Sequence, residues 1–188
     1  MGRAKTVERK PAAPARIGAP HLAAALALAV LAIYWQVGGF AFVNFDDDLY
    51  VTANQQVRRG LTPEGIAWAF SAWDYIYWHP LAFLSHMLDV SLFGLDAGFH
   101  HLTSALLHAA SSALLLLALF RMTGALWRSG AVAALFALHP LRVESVAWVA
   151  ERKDVLSGLF CILTLIAYER WARRSGPRWA WLLCGALA

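Results

Sequence analysis

Charged residues are scarce in this chain. Asp, Glu, Lys and Arg make up 15% of the 188 residues, whereas 60% are hydrophobic and the mean hydropathy is +0.52. This balance lies outside the range of soluble globular domains, so the sequence predicts an integral membrane protein. The formal net charge of +4 would suggest nucleic acid as a partner of a soluble domain. Here the basic residues are divided among the segments between apolar runs, and no nucleic-acid partner is expected.

Cysteine is also scarce. Cys161 and Cys184 both lie inside apolar segments, which excludes a disulfide framework and a CxxC metal site. Their simplest interpretation is as small hydrophobic residues.

Long apolar runs predict an all-α fold, a polytopic transmembrane helical bundle. Residues 22–43 carry no charge, and a helix of about 20 residues crosses a hydrocarbon core. A cleaved signal peptide is the competing interpretation, which the length of the run disfavours. Further spans are expected at residues 100–120, 129–150, 154–170 and 178–188. The last of these stops halfway, so we expect the chain to be the N-terminal part of a longer protein.

Residues 44–99 predict a large first external loop that carries short interfacial helices. Thr62 and Pro63 provide a helix start, and the aromatic cluster between Trp68 and Trp78 has the composition of a membrane-interface belt. Residues 81–93 are apolar but too short to span, which favours a helix lying along the membrane surface.

The basic residues are distributed unequally between the two sides of this arrangement. Eleven of the 16 Lys and Arg residues lie on the side of the basic tail, residues 1–20, and ten of the 12 acids lie on the other. The positive-inside rule therefore predicts a cytoplasmic N-terminus and an external loop at residues 44–99. The membrane itself is expected to be a bacterial inner membrane.

Three consecutive carboxylates follow the first predicted span. Asp46, Asp47 and Asp48 suit a general base, because close like charges raise at least one pKa, and they also suit a hard divalent cation. A solvated loop is an equally weighted alternative. In the next span, His101 and His108 share a helical face, which favours interhelical hydrogen bonds over a metal pair.

The second polar cluster occupies residues 137–157, on the same predicted side, so we expect its stretch at 144–154 to lie close to Asp46 and Asp47. Pro140 should distort the helix after His139, and Glu144 is expected to lie too deep to be only a rim residue. Arg152 and Lys153 can bind a phosphate, with Asp154 orienting Arg152. The alternative is a charged rim that only ends two helices.

Four motifs carry a family resemblance over about residues 40–170: NFDDDLYV, WHPLAFLSHMLD, FHHLTSALLHA and HPLRVESVAWVAERKDVLSG. They resemble the transmembrane and TPR-repeat containing O-mannosyltransferases, which are distantly similar to other glycosyltransferases of the type C fold. The resemblance implies that residues 21–188 are part of such a membrane domain. It further implies catalysis by Asp46 or Asp47 and donor-phosphate binding by Arg152, His139 and Lys153. Supporting roles fall to Glu144, Asp154, Asp48 and His101.

The implied reaction transfers a sugar from a polyprenyl-phosphate donor in the membrane lipid to a hydroxyl of a protein acceptor. No cofactor is certain; a divalent cation at Asp46 and Asp47 is allowed, and this part of the protein alone is expected to be inactive. Two other functions are considered: a noncatalytic membrane anchor for a TPR scaffold, and a transporter. Transport is disfavoured because neither internal repeats nor polar span centres are evident.

Overall fold

The computed structural model describes residues 18–73 and 78–174, without the side chain of Arg174. Most of the predicted basic tail and the predicted fifth span at 178–188 lie outside the described residues. Every regular element within them is helical. The α-helices are α1 (Ala19–Tyr34), α2 (Gln55–Arg58), α3 (Pro63–Ser71), α4 (Pro80–Phe93), α5 (Ala97–Thr123), α6 (Leu126–Leu138), α7 (Arg142–Ala147) and α8 (Arg152–Arg174). Short 3₁₀ or π turns lie at Trp35–Gly39, Asp48–Thr52 and Val149–Glu151.

Three described stretches are long and apolar enough to cross a membrane. They are Ala19–Gly39, Ala97–Thr123 and Val149–Arg173, with 21, 27 and 25 residues. A hydrocarbon core needs about 20 helical residues, so each has sufficient length. The predicted all-α class is confirmed, and the protein is an integral membrane protein.

Helix α5 is the centre of the bundle, in contact with α1, α6 and α8. Ala105 and Ala109 of α5 are buried in one apolar cluster with Val30 of α1 and Ala133 and Ala137 of α6. Small side chains let helix backbones approach closely, which maximises dispersion contacts where lipid removes the hydrophobic driving force. The position of α5 therefore sets the positions of its neighbours.

Pro140 ends α6 after 13 residues. Proline lacks an N–H and disfavours helical backbone at the preceding residue, and His139 is accordingly extended, with φ −67° and ψ 132°. The residues assigned by sequence to the outer part of a span at 129–150 instead form α7 and the 3₁₀ turn Val149–Glu151.

The expected short helices of the first loop are present as α2, α3 and α4. Thr62 caps α3, because its Oγ1 accepts a hydrogen bond from the Gly65 N–H at 3.0 Å. A second apolar cluster buries Tyr50 and Phe83 of this loop together with Val149 and Ala150. The first loop and the segment before α8 thus share one core.

One close backbone approach fixes the start of α5 against the end of the first span. A Cβ added at Gly98 would collide with the backbone carbonyl of Gly38, whereas one added at Gly158, within α8, would meet open space. Gly98→Ala should therefore lower the free energy of unfolding by about 1 to 3 kcal/mol through overpacking. Gly158→Ala is the matched control and should raise it by about 0.5 to 1 kcal/mol. Thermal unfolding in detergent measures both changes, and equal behaviour of the two variants would contradict the close approach.

Candidate functional site

Asp47 joins the two predicted polar clusters. Its carboxylate is buried; Oδ2 accepts a hydrogen bond from the Val43 N–H at 2.8 Å, and Oδ1 accepts one from the Ala150 N–H at 2.9 Å. The second bond connects residues 103 positions apart. The expected proximity of the aspartates to the stretch at 144–154 is therefore confirmed.

A second link lies beside the first. The indole Nε1–H of Trp148 donates to the Phe45 carbonyl at 3.1 Å, and the two rings lie 5.4 Å apart between centroids. Aromatic pairs at this separation attract beyond the area they bury. The loop around the aspartates is thus held to the segment before α8 on both sides of Asp46.

Asp46 is exposed and has a left-handed backbone, with φ +65°. Its carbonyl accepts a hydrogen bond from the Tyr50 N–H at 3.0 Å, which opens the helical turn Asp48–Thr52. Asp and Asn tolerate this conformation better than most residues. The backbone of Asp46 is therefore fixed, while its side chain faces the surface. Asp48 is half-buried in the following turn.

The electrostatic environment of Asp47 differs from that of its exposed neighbour. Burial raises the pKa of Asp47 above the ordinary value of 3.8, and the N–H groups of Val43 and Ala150 oppose that rise. Nearby His101 also lowers the pKa of Asp47. Desolvation is the largest of these effects, so the buried carboxyl holds a proton more readily than a solvated one.

Arg152 is completely buried, and each of its guanidinium nitrogens donates to a protein partner. Nε donates to Ser104 Oγ at 2.8 Å, and one terminal nitrogen donates to Ser85 Oγ at 2.7 Å. The other donates to Asp89 Oδ2 at 2.8 Å and to the His100 carbonyl at 2.5 Å. The guanidinium is thus occupied within the protein, which does not suit the donor-phosphate role predicted for it.

Two details of the sequence interpretation need correction. Asp89, and not Asp154, is the carboxylate partner of Arg152, because residues two apart in a helix point in different directions. Asp154 is exposed and accepts a hydrogen bond from Ser145 at 3.3 Å. Glu144 is exposed and not deep, because the chain leaves the α6 axis at Pro140.

His139 and Glu144 are not brought to the aspartates. His139 is exposed and its Nδ1 accepts a hydrogen bond from the Leu141 N–H at 3.3 Å, which closes the turn after α6. Among the described residues, no hydrogen bond or ion pair joins the side chain of His139 or Glu144 to Asp46, Asp47 or Arg152.

Lys153 lies in a more open setting than Arg152. Its ammonium is 2.6 Å from Glu151 Oε1 and 5.5 Å from the centre of the Tyr50 ring, and its side chain is 27% exposed. Tyr50 in turn hydrogen bonds to His79 Nδ1 at 3.0 Å. Burial, followed by the Lys153 ammonium, holds the pKa of His79 below its ordinary value of 6.5. Lys153 therefore places a partly exposed cation close to Ala150, the residue whose N–H donates to Asp47.

Two buried histidines of α5 hydrogen bond to backbone carbonyls of other segments, and the bond made by His108 is interhelical, as the sequence favours. His108 Nε2 is 3.0 Å from the Ala137 carbonyl of α6, and His101 Nε2 is 3.3 Å from the Ala41 carbonyl. His101, predicted to support the aspartates, thus makes a hydrogen bond to the backbone of the segment that precedes them.

The carboxylates of Asp46 and Asp47 lie in different surroundings. Both carboxylate oxygens of Asp47 accept backbone N–H groups, whereas Asp46 is exposed. Among the described residues, no group of three or more possible metal ligands includes Asp46 or Asp47, and the predicted divalent cation stays a prediction.

Elsewhere in the described ranges, ligand atoms of His86, Asp89 and His100 lie within 4.8 Å of one another. Asp89 already neutralises the buried Arg152, so a divalent cation here would add two unbalanced charges at a cost of several kcal/mol. We assign no metal to this group.

Sequence reasoning missed the role of Asp89. The residue interrupts an otherwise apolar helix, and a buried acid in apolar surroundings requires a cationic or hydrogen-bonding partner. That signal, taken with the position of Arg152 at the head of an apolar helix, was available. The pairing itself depends on how α4 crosses α5 and α8, which no local pattern specifies.

The raised pKa of Asp47 predicts a pH dependence of stability. Between the ordinary and the raised pKa values, the folded protein binds more protons than the unfolded chain. The stabilising contribution of Asp47 is therefore fully present below pH 3.8 and is lost as the pH rises through the folded-state pKa. The loss amounts to about 1.4 kcal/mol for every pH unit that separates the two values. The amide in Asp47→Asn does not titrate, so that variant lacks this pH-dependent contribution to stability.

Thermal unfolding of both proteins between about pH 3.5 and 7 isolates the effect, since the constant cost of the substitution cancels in the pH dependence. The stability advantage of the parental protein over Asp47→Asn should shrink as the pH rises and then level off. A difference that stays constant, or grows, would show that the folded pKa is not raised.

The chain is 33% identical to the protein O-mannosyl-transferase Tmtc2 of Drosophila melanogaster over 167 residues, which covers 82% of this chain and 17% of that protein. It is 32% identical to tmtc2 of Xenopus laevis over 155 residues, covering 74% and 18%. It is 32% identical to human TMTC2 over 113 residues, covering 58% and 14%.

The chain spans less than a fifth of the length of these relatives, with 14% to 18% covered. No protein-family model and no solved structure matches it. The family relationship predicted from the four motifs is nevertheless confirmed by the curated relatives. The chain is related to the TMTC protein O-mannosyl-transferases.

Proposed function

We propose that this chain contributes the catalytic loop of a membrane O-mannosyltransferase, which moves mannose from a polyprenyl-phosphate donor to a protein hydroxyl. The observation that carries the proposal is the hydrogen bond between Asp47 and the Ala150 N–H, which assembles the two polar loops around Asp46. The relatives named as protein O-mannosyl-transferases support the same chemistry.

Asp46 serves as the general base. Its carboxylate is exposed, unlike that of Asp47, and its backbone is held in a left-handed conformation between two anchored neighbours. Backbone strain of this kind concentrates at functional sites. The acceptor hydroxyl gives its proton to Asp46 as its oxygen bonds to the anomeric carbon. The bond from that carbon to the phosphate oxygen breaks, and the polyprenyl phosphate leaves with the electron pair.

Asp47 positions the loop and does not take the proton. Both of its oxygens are occupied by backbone donors, and displacing them would leave the buried Ala150 N–H without a partner. Lys153 is the cation that meets the donor phosphate. Its ammonium is partly exposed and is held near Tyr50 and Glu151, whereas Arg152 is enclosed.

Membrane orientation follows from the same assignment. The polar loops, with Asp46 and Lys153, lie on the external face of a bacterial inner membrane, and the N-terminus is cytoplasmic. The excess of basic residues on the opposite side supports this orientation. Glu169 near the far end of α8 pairs with Arg121 of α5 at 3.5 Å, so the two helices run in the same direction away from the site.

Replacement of Asp46 by Asn tests the base assignment. Asn has the volume of Asp and tolerates the left-handed backbone, so the loop should stay folded while transfer falls by roughly 10²- to 10⁴-fold. Mannose transfer from a polyprenyl-phosphate mannose to a Ser- or Thr-containing peptide is measured with the full-length protein, of which this chain is a part, in proteoliposomes, together with donor binding, which should not change.

The matched control is Asp96→Asn, which removes an exposed charge from the same side at the cap of α5 and leaves a good capping residue. It should retain the parental rate. Parental transfer in Asp46→Asn would reject the base assignment. Absence of transfer in the parental protein, with folding intact, would instead favour a noncatalytic membrane anchor.

Cysteine labelling tests the orientation. Gln55 and Arg173 are exposed on opposite sides of the bundle, and single cysteines are placed there after Cys161→Ala and Cys184→Ala remove the native thiols. A membrane-impermeant maleimide should label Gln55→Cys in intact cells and label Arg173→Cys only after lysis. The reverse pattern would invert the topology.

A further inference from the structure

The Arg152 guanidinium connects three helices at the base of the external loops. Arg152 is the first residue of α8, while its partners Ser85 and Asp89 belong to α4, and Ser104 and the His100 carbonyl belong to α5. All of these groups are buried or half-buried. One side chain thus fixes the outer end of α8 relative to both of its neighbours.

The charge balance of this cluster is complete without a ligand. Arg152 carries one positive charge and Asp89 one negative charge, and Thr103 donates to the second oxygen of Asp89 at 3.0 Å. Burial, Arg152 and His100 hold the pKa of His86 well below its ordinary value, so His86 adds no charge. A phosphate that approached Arg152 would have to displace Asp89 and would leave that carboxylate buried and unpaired.

The same residue is two positions from the loop contact that assembles the proposed site. Ala150, whose N–H donates to Asp47, belongs to the 3₁₀ turn that leads directly into Arg152. The turn is therefore held at one end by Trp148 against Phe45 and at the other end by the buried guanidinium. Movement of Arg152 must shift Ala150, and with it the aspartate loop.

We propose that Arg152 and Asp89 form a positioning clamp, which holds the Val149–Glu151 turn so that Ala150 fixes Asp47 and, through it, Asp46. The clamp acts on the transfer rate and not on donor affinity. This inference rests on the proposed mannosyl transfer, but the position of Ala150 is open to measurement without it.

The experiment compares Arg152→Gln, Asp89→Asn, their double variant and Arg152→Lys. Transfer kinetics use polyprenyl-phosphate mannose and a Ser-containing peptide in proteoliposomes, and hydrogen exchange follows the peptide that contains Ala150. Each neutralised single variant should lose about a hundredfold in kcat, as expected for a small displacement of reacting groups, with donor KM unchanged. Both should also lose protection at Ala150.

Two further variants keep the test informative if a lone buried charge prevents folding. The double variant has no unpaired buried charge, so it tests the clamp in a folded protein. Arg152→Lys retains the cation without the planar fork, so it should keep only part of the parental kcat and of the parental exchange protection at Ala150. The matched control is Arg121→Gln, which breaks an arginine–glutamate pair at the far end of α5 and should leave kcat and Ala150 exchange unchanged.

A higher donor KM in Arg152→Gln, with Asp89→Asn unaffected, would overturn the clamp and make Arg152 a phosphate ligand. Parental kcat in both folded single variants would reduce the pair to a stability contribution and also overturn it. If the parental protein transfers no mannose, the proposed function fails, and Ala150 exchange decides the clamp by itself. Unchanged protection in both single variants then rejects it.

Discussion

The arrangement of the two polar loops depends on one carboxylate that accepts hydrogen bonds from two backbone amides. Asp47 is removed from water, and a buried carboxylate is tolerable only when hydrogen bonds replace its hydration. One donor comes from Val43, at the end of the first span, and the other from Ala150, immediately before α8. Hydrogen bonds to charged groups contribute about 1.5 to 3 kcal/mol each, so separating the loops would cost a large part of the stability of a domain. The exposed Asp46 takes its position from this constraint.

The buried pair of Arg152 and Asp89 imposes a different kind of constraint. Burying two charges has a desolvation cost that their attraction offsets only when the geometry is good, so such a pair adds little net stability. Breaking it is nevertheless costly, because an unpaired charge remains in an apolar environment. The pair therefore selects one packing of α4 against α5 and α8 among several that the apolar surfaces would allow. The small residues Ala105 and Ala109 permit close packing of α5, but they do not specify the packing of α4 in this way.

Composition and local pattern were enough to predict the helical class, a short helix over residues 81–93, a distortion at Pro140 and the proximity of the two loops. These features depend on hydropathy, proline geometry and the side of the membrane to which each loop belongs. The partner of Arg152 was not predictable in the same manner, because Asp89 lies 63 residues away and meets it only through a three-helix crossing. The exposure of Glu144 was missed because the span was expected to continue to residue 150 with only a distortion at Pro140, whereas α6 ends at Leu138. Which aspartate is buried depends on the register of the loop, and three adjacent carboxylates carry no signal that separates them.

The division between Asp46 and Asp47 follows from backbone geometry. A left-handed residue other than glycine costs about 1 to 2 kcal/mol, somewhat less for aspartate, and glycine at this position would avoid that cost. The loop nevertheless has an aspartate there, followed by a residue whose two hydrogen bonds pull the chain inward. Because Asp47 points into the protein, the reversal of the chain at Asp46 directs the preceding side chain outward. A carboxylate on an anchored backbone has only its side-chain torsions left to order when it meets a substrate, which suits the general base proposed for Asp46.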